Sequence, residues 1–488
     1  MTEPKKLLTF FPLVVLLVLE LFSFSVFSAA VSDEGTPNFQ KGLCYSAWSS
    51  DAFGTSESDE SLSLLTETNT EWVSICFSWA QSSTTSSDIH VDPERTPTTD
   101  SVKHAITVAH SLGLKVMLKP MVDTLEEEKT QGYPTVWRGE IQPSESWFDS
   151  YSSFINAFAD VAEQYGVELF CVGCEFKATT AEKEQWENVI SGVREHYSGP
   201  LTYAADWTNY QNIEWWDSLE YVGIDAYFPL SFFDYDPTVE ELKSAWTNHA
   251  NVIEEWISTI NKPVIFTEIG YKSGDGTNMA PSNYWTDMPV DLEEQNDCYE
   301  AAFQILWDRS WFYGFYWWTW IHDPTKGGVN DSSHTPQNKP AQETITEWYS
   351  MDRKFAVVDQ SFTSATTANL NEGLSVGFHV SWQNSRDNVV GAKVYVNGTQ
   401  YVTNETGWII FNPSYGTFGE RSWTVTDITH PEANGYTISA LTPSITWNYA
   451  ENEPETTSAV DLTDVVLYAV LVVAAIVIVA VLLKRLRH

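Results

Sequence analysis

One structural unit recurs from residue 42 to about residue 349: a short apolar segment typical of a buried strand, followed by a longer amphipathic or polar segment. This alternation is typical of a parallel sheet whose strands are joined by helices. Eight apolar segments begin at Gly42, Trp72, Lys115, Leu169, Leu201, Tyr221, Pro263 and Gly314. Between them the pattern predicts helices over 101–112, 147–165, 181–197, 239–260 and 292–311. Eight units in about 300 residues match a (β/α)8 barrel, so we predict an α/β fold with a TIM barrel over residues 38–350.

Polar and aromatic residues near the strand ends are the candidates for chemistry, because active sites of such barrels lie where strands pass into the following loops. They are Trp48, Trp79, Lys119, Asp123, Glu175, Trp207, Asp225, Tyr227, Glu268, Tyr271, Trp317, Trp318 and Trp320. Alternation along a strand places Trp318 and Trp320 on one face and Trp317 on the other. We therefore expect the first two, rather than Trp317, in the site.

Glu175 and Glu268 end the fourth and seventh strands, where a lone buried charge would be costly without a function. Cleavage of a glycosidic bond needs two such carboxyl groups, one to protonate the leaving oxygen and one to attack or to activate water. The pair is therefore the expected catalytic couple. The alternative is structural: one of them simply pairs with Lys119 or Arg138 at the rim of the barrel.

Several segments resemble glycoside hydrolase family 113, the (β/α)8 β-mannanases of a large clan of retaining glycosidases. They are LGLKVMLKPMVD from Leu112, WRGEI from Trp137, LFCVGCEF, YVGIDAYFPL, KPVIFTEIGY and GFYWWTW, and the resemblance covers residues 41–349. It implies that Glu175 is the acid/base, that Glu268 is the nucleophile, and that the anomeric configuration is retained. Such a mechanism places the two carboxyl groups about 5–5.5 Å apart.

The resemblance also implies roles for substrate-binding residues. Tyr227 would donate a hydrogen bond to the nucleophile, tryptophans of strand eight would form a sugar platform, and Lys119 and Asp123 would bind hydroxyls, unless these last two form only a rim ion pair. Two residues depart from the family pattern: Met121 stands where a His is expected, and Cys174 replaces a hydroxyl or amide residue before the acid. The candidate substrate contacts are Trp48, Trp79, Lys119, Asp123, Trp137, Arg138, Trp207, Asp225, Tyr227, Trp318 and Trp320.

These observations favour a retaining endo-acting enzyme on β-1,4-mannan or another β-linked polysaccharide. An exo-acting β-mannosidase or β-glucosidase and an inactive glycan-binding barrel are the alternatives. The formal net charge of -40 would repel the phosphates of nucleic acid, so nucleic acid is not expected as a partner and a neutral substrate is favoured. Cys171 and Cys174 have the spacing of a redox or zinc motif, but strand residues three apart point to opposite faces. We expect neither a metal nor a cofactor.

The two ends of the chain predict a cell-surface location. Residues 1–30 read as a signal peptide or N-terminal anchor, and the apolar residues 462–483 are long enough to cross a bilayer as a helix. The basic residues 484–488 that follow belong on the cytoplasmic side, which leaves the catalytic domain outside. Short alternating strands over 353–450, with a hairpin turn at Asn397-Gly398, predict a small Ig-like β-sandwich, joined to the membrane by an acidic linker over 451–461.

Overall fold

The structure is a computed structural model that describes residues 39–126, 129–130, 133–134, 136–351, 355–365, 374–382, 387–413, 419–431, 433 and 444–449. Eight parallel strands close into a barrel in chain order, each hydrogen-bonded to the next and the last to the first. They are β1 (Gln40–Ser46), β2 (Trp72–Gln81), β3 (Lys115–Thr124), β4 (Leu169–Cys174), β5 (Leu201–Asp206), β6 (Val222–Asp225), β7 (Val264–Ile269) and β8 (Phe312–Ile321). The predicted barrel is confirmed.

Each helix follows one of these strands in the chain. They are α1 (Ser56–Thr66), α2 (Thr99–Ser111), α3 (Glu145–Tyr165), α4 (Lys183–His196), α5 (Val239–Ile260), α6 (Leu292–Leu306) and α7 (Pro340–Ser350). From β5 the chain reaches β6 through two short 3-10 turns, Tyr210–Asn212 and Trp216–Ser218. Helix α6 ends earlier than predicted, because the chain turns after Leu306, whose carbonyl accepts a hydrogen bond from the Arg309 N–H.

Helix α5 shows how local sequence fixes these elements. The Thr238 hydroxyl accepts from the Glu241 N–H, and the Glu241 carboxylate accepts from the Thr238 N–H, which satisfies two free donors of the first turn. Asn261, in a left-handed conformation, ends the helix. Buried residues recur three or four positions apart along one face: Leu242, Trp246, Ala250, Ile253 and Ile257. That spacing packs one side of the helix into the protein core.

Two separate apolar clusters fill the barrel domain. One combines alternate strand residues with the buried faces of the helices. The other consists of strand residues that include Cys44, Cys76, Met117, Met121, Cys171 and Cys174. The prediction that Cys171 and Cys174 point to opposite faces is wrong, because the ladder between β4 and β5 shifts register between them and restores both to one face.

The C-terminal residues form two antiparallel sheets. The three-stranded sheet has the order β9 (Ala356–Ala365), β10 (Leu374–Trp382) and β13 (Trp408–Phe411). The four-stranded sheet has the order β12 (Thr399–Val402), β11 (Lys393–Val396), β14 (Gly419–Thr429) and β15 (Ser444–Tyr449). Val396 pairs with Thr399 across Asn397-Gly398, so the predicted hairpin is confirmed. Residues of both sheets share one buried cluster.

The predicted membrane segments cannot be compared with this fold. Residues 1–30, 451–461, 462–483 and 484–488 all lie outside the described residues. Among the helices that the structure describes, none has the length and apolar character needed to cross a bilayer.

Candidate active site

A cleft of about 680 Å³ opens at the carboxyl ends of the barrel strands. This size is in the usual range of ligand-binding pockets. Both predicted catalytic residues, Glu175 and Glu268, line it. The cleft also brings together seven of the other predicted contacts: Trp48, Asp123, Trp137, Arg138, Trp207, Tyr227 and Trp318.

Glu268 lies in β7 and is held by two donors. Its Oε1 accepts a hydrogen bond of 2.6 Å from Lys119 Nζ, and its Oε2 accepts one of 2.7 Å from the Tyr227 hydroxyl. Burial, followed by the nearby charge of Glu268, raises the Tyr227 pKa well above its usual range, so this hydroxyl remains a donor. Both contacts fix the orientation of the Glu268 carboxyl group.

Lys119 and Asp225 form a buried ion pair behind Glu268. Lys119 Nζ lies 3.1 and 3.3 Å from the two carboxylate oxygens of Asp225, whose Oδ1 also accepts from the Thr267 hydroxyl at 2.7 Å. Burial opposes the charge on Lys119, but the surrounding negative charges, led by Asp225, hold its pKa well above the usual range. Burial and then Glu268 raise the Asp225 pKa to about 6. Neither Lys119 nor Asp225 lines the cleft, so both support Glu268 from behind.

We expect Lys119→Met to destabilise the barrel by about 3–5 kcal/mol, because it leaves two buried carboxylates without their shared cation. The free energy of unfolding, measured with a chemical denaturant, tests this. Lys103→Met is the matched control, since the ion pair of Lys103 with the exposed Asp100 contributes less than about 1 kcal/mol. Equal losses in the two variants would contradict the expected role of Lys119.

Glu175 directly follows β4 in a left-handed backbone conformation, with φ of 56°. This conformation is costly for a residue with a side chain and is typical of functional sites. The Glu175 N–H donates to the Ala204 carbonyl of β5 at 2.8 Å, which continues the barrel ladder. Burial raises the Glu175 pKa well above its usual range, and the charges of Asp225 and Glu268 raise it further. The environment therefore favours a protonated Glu175.

Arg138 contacts both residues that depart from the family pattern, Met121 and Cys174. Its Nη1 lies 2.8 Å from Met121 Sδ and 3.2 Å from Cys174 Sγ, while its Nε donates to Asp123 Oδ1 at 2.8 Å. Its Nη1 is also 3.9 Å from Glu175 Oε2. The alternative ion pair between Lys119 and Asp123 is wrong, since Lys119 pairs with Asp225 and Glu268, and Asp123 with Arg138.

The tryptophans do not divide as strand alternation predicts. Leu43 pairs with Trp317 and Tyr45 with Trp320, so β8 holds one extra residue opposite β1. This bulge directs only Trp318 into the cleft; Trp317 and Trp320 are buried, and the Trp320 indole N–H donates to Ser61 of α1. The prediction that Trp320 shares the platform with Trp318 is wrong. Trp79 also lies outside the cleft lining, packed against Phe154 and Phe158 of α3.

Other cleft residues were not predicted from the sequence. Asp206 ends β5, and its position next to Trp207 was a signal that could have identified it. Tyr284, Trp285 and His334 come from long loops after β7 and β8, where no strand end marks them. Burial lowers the His334 pKa to about 4, so this ring is neutral, and Nε2 lies 2.8 Å from the Pro281 carbonyl.

Three potential metal ligands lie close together around Glu175. Donor atoms of Cys174, Glu175 and Asp225 lie within 4.8 Å of one another, among the residues that the structure describes. Lys119 compensates the charge of Asp225, and Arg138 lies 3.9 Å from Glu175. Burial raises the pKa of the Cys174 thiol well above its usual range, so the thiol carries no charge. Both predicted catalytic residues therefore lie beside a cation, Glu268 beside Lys119 and Glu175 beside Arg138.

Comparison with known proteins extends this assignment. The model of Glycoside Hydrolase Family 113 matches residues 45–339, more than half of the chain. A structure described as a complex of a GH113 β-1,4-mannanase is similar, with a TM-score of 0.58 and 27% identity over 64% of this chain and 100% of that one. The GH113 β-mannanase AaManA from Alicyclobacillus acidocaldarius, in complex with ManMIm, gives a TM-score of 0.58 and 29% identity over 64% of this chain and 97% of that one. Comparison with curated protein sequences finds no match.

The matched region extends from within β1 to the residue before α7, and it contains both glutamates, their contacts and the cleft. The resemblance in the sequence is thus confirmed over the barrel. The chain belongs to glycoside hydrolase family 113 and is a glycoside hydrolase.

Proposed function

We propose that the chain is a retaining endo-β-1,4-mannanase, with Glu175 as acid/base and Glu268 as nucleophile. The proposal rests on the different environments of these two glutamates. Glu268 receives hydrogen bonds from Lys119 and Tyr227, whereas burial and neighbouring carboxylates raise the Glu175 pKa. Environments that separate the protonation states of two nearby carboxyl groups are what acid and nucleophile require. The substrate is supported by the two similar structures, which are described as β-1,4-mannanase and β-mannanase.

In the first step, a carboxylate oxygen of Glu268 attacks the anomeric carbon. The bond from that carbon to the bridging oxygen breaks, and Glu175 gives its proton to this oxygen, which leaves as a hydroxyl of the released sugar. The remaining sugar is joined to Glu268 as an ester. Trp318 and Trp48, whose ring centres are 6.3 Å apart at the cleft, supply apolar faces for neighbouring sugars.

In the second step, the ionised Glu175 accepts a proton from water. The water oxygen attacks the anomeric carbon, the ester bond to Glu268 breaks, and both glutamates return to their first state. Arg138, 3.9 Å from Glu175, stabilises the carboxylate between the two steps. Two inversions at one carbon retain the configuration.

Release of reducing sugar from β-mannan, glucomannan, xylan and β-glucan by the full chain tests this function. We expect release from mannan, short oligosaccharides as early products, and loss of activity in Glu175→Gln and Glu268→Gln. Glu255→Gln, at an exposed position of α5, is the control. Release of single sugars from chain ends would show an exo-acting enzyme instead. Binding to a polymer without any release would show an inactive glycan-binding barrel.

We expect Arg138→Gln to move the alkaline limb of the pH–rate profile to higher pH. Activity requires a protonated Glu175, so the rate falls as pH rises through its pKa. Burial is the main cause that raises this pKa and Arg138 opposes it, so removing Arg138 raises the pKa further. The dependence of kcat on pH measures the shift. As a control, Arg194 lies on α4, and Arg194→Gln breaks its half-exposed ion pair with Glu220. This variant should leave the limb in place.

We also infer that the enzyme is displayed outside the cell on a C-terminal membrane helix over 462–483, with a small β-sandwich as spacer. The apolar run, the basic residues after it and the buried cluster shared by the two C-terminal sheets support this inference. We expect the full chain to remain in membranes after alkaline washing and to be cleaved by protease added to intact cells. A chain ending at residue 461 should be released, and release of the full chain as well would contradict the C-terminal anchor. Retention of the truncated chain would assign the anchoring to residues 1–30 instead.

A further inference from the structure

The strongly exposed aromatic side chains among the described residues all lie at one end of the barrel. Among the described residues, those that are strongly exposed are Trp48, Phe232, Phe233, Tyr235 and Tyr284. Trp48 follows β1, the next three follow β6, and Tyr284 follows β7. All five therefore lie on loops at the carboxyl ends of strands, the face that carries the cleft. A random scatter of surface aromatics would also place some on the helices.

Phe232, Phe233 and Tyr235, here named the aromatic rim, are the most unusual of these. Their exposed fractions are 76%, 95% and 62%, and none of them lines the cleft. Exposure of two adjacent phenyl rings forfeits most of their favourable burial. Exposed apolar clusters of this kind on a soluble domain are typical of an interaction surface.

The loop that carries the aromatic rim is firmly held. Its Leu230 N–H donates to the Asn278 carbonyl at 2.8 Å, and the Asn278 amide donates to the Asp234 carbonyl at 2.9 Å. Asn278 is in turn fixed by Glu294 of α6, whose buried carboxylate accepts from its side chain at 2.7 Å and its backbone N–H at 3.0 Å. The rings are thus presented on a preorganised loop, which lowers the entropy cost of binding.

The aromatic rim is held by the same chain segment that supplies aromatic residues to the cleft. The segment that holds the rim loop through Asn278 leads, six residues later, to Tyr284 and Trp285, both of which line the cleft. The exposed acids Asp234 and Asp236 flank Tyr235, and the net charge of the chain is -40. An anionic lipid surface or polymer would be repelled here. A neutral sugar chain offers apolar faces to the rings without that penalty.

We propose that the aromatic rim binds the polysaccharide beyond the cleft, as a distal platform that favours long chains over short ones. The inference rests on the proposed mannanase function and adds a preference for polymeric substrate. Phe232 and Phe233 stack on sugars that leave the cleft past Tyr284 and Trp285. They do not touch the reacting atoms, so their contribution grows with chain length and is absent for a substrate that fills only the cleft.

The full chain carrying Phe232→Ser and Phe233→Ser tests this proposal. We expect kcat/KM for long, soluble β-mannan to fall roughly tenfold, the loss of two ring contacts. For an aryl β-mannobioside it should change by less than about twofold, since such a substrate does not reach the aromatic rim. The matched control replaces two exposed apolar residues away from the catalytic face, Val252→Ser and Ile410→Ser, and should leave both values unchanged.

Other outcomes overturn the proposal. An unchanged kcat/KM for mannan, or an equal fall for both substrates, would show that the aromatic rim does not bind the polymer. Loss of binding to phosphatidylcholine vesicles with mannan cleavage intact would assign the rings to a lipid surface. If the wild-type chain cleaves neither substrate, the mannanase function fails. Electrophoresis in gels containing mannan, glucomannan, xylan or β-glucan then tests polysaccharide binding by the aromatic rim independently of cleavage. Slower migration of the wild-type chain than of the variant supports it, and equal migration overturns it.

Discussion

Glu268→Ala should reduce kcat on mannan by on the order of 10⁵-fold, the scale seen when a catalytic nucleophile is removed. In the proposed mechanism, the substitution deletes the atom that forms the covalent bond to the sugar, while Glu175 remains able to protonate the leaving oxygen. It also leaves the Tyr227 hydroxyl and Lys119 without their acceptor. Initial rates of reducing-sugar release from mannan measure the loss.

Added azide distinguishes loss of the nucleophile from loss of the fold. The space left by the Glu268 side chain admits this small anion, which attacks the anomeric carbon of an aryl β-mannoside from the opposite side. We expect an α-mannosyl azide, identified by NMR, together with recovery of part of the rate. Glu255→Ala, on the exposed side of α5, should keep full activity and give no azide product. A β-azide from the Glu268 variant would overturn the assignment of the nucleophile.

Glu175→Ala should reduce kcat on mannan by roughly 10²- to 10⁴-fold, the usual contribution of a general acid/base. The loss should depend on the leaving group. A dinitrophenyl β-mannoside needs no proton to depart, so Glu268 still forms the ester quickly and hydrolysis of that ester becomes limiting. Stopped-flow release of dinitrophenol should therefore show a burst followed by a slow steady rate.

The Glu175 variant offers two further checks. Azide should intercept the ester and give a β-mannosyl azide, the opposite anomer to that expected from Glu268→Ala. Its pH–rate profile should lose the alkaline limb, because the group whose pKa is raised by burial and by neighbouring carboxylates is no longer present. An unaltered limb would mean that another residue supplies the proton.

Much of the fold could be predicted because strand identity is a local property. The starts of β2 to β5 agree with the sequence pattern, and α5 has the predicted bounds Val239–Ile260. Polar residues that end buried strands, above all Glu175 and Glu268, were identifiable because such residues have few structural reasons to be there. The long loops that bring Tyr284 and His334 to the cleft carry no comparable periodic signal.

The direction of side chains followed local alternation only where the ladders are regular. Trp320 turns away from the cleft because β8 has one residue more than β1 between two pairs, and Cys171 faces the same cluster as Cys174 because of a register shift toward β5. A bulge is a property of two strands together. The sequence of either strand alone therefore does not reveal it.

By itself, the sequence determined the barrel, the positions of the two glutamates on strands four and seven, and the family. Only the tertiary structure decided which charges meet: Lys119 with Asp225 and Glu268, and Arg138 with Asp123 and the sulfurs of Met121 and Cys174. The physical reason is the separation along the sequence of the residues that interact. Strand and helix patterns arise from residues a few positions apart, whereas a buried ion pair joins residues 106 or 149 positions apart and depends on how the barrel closes.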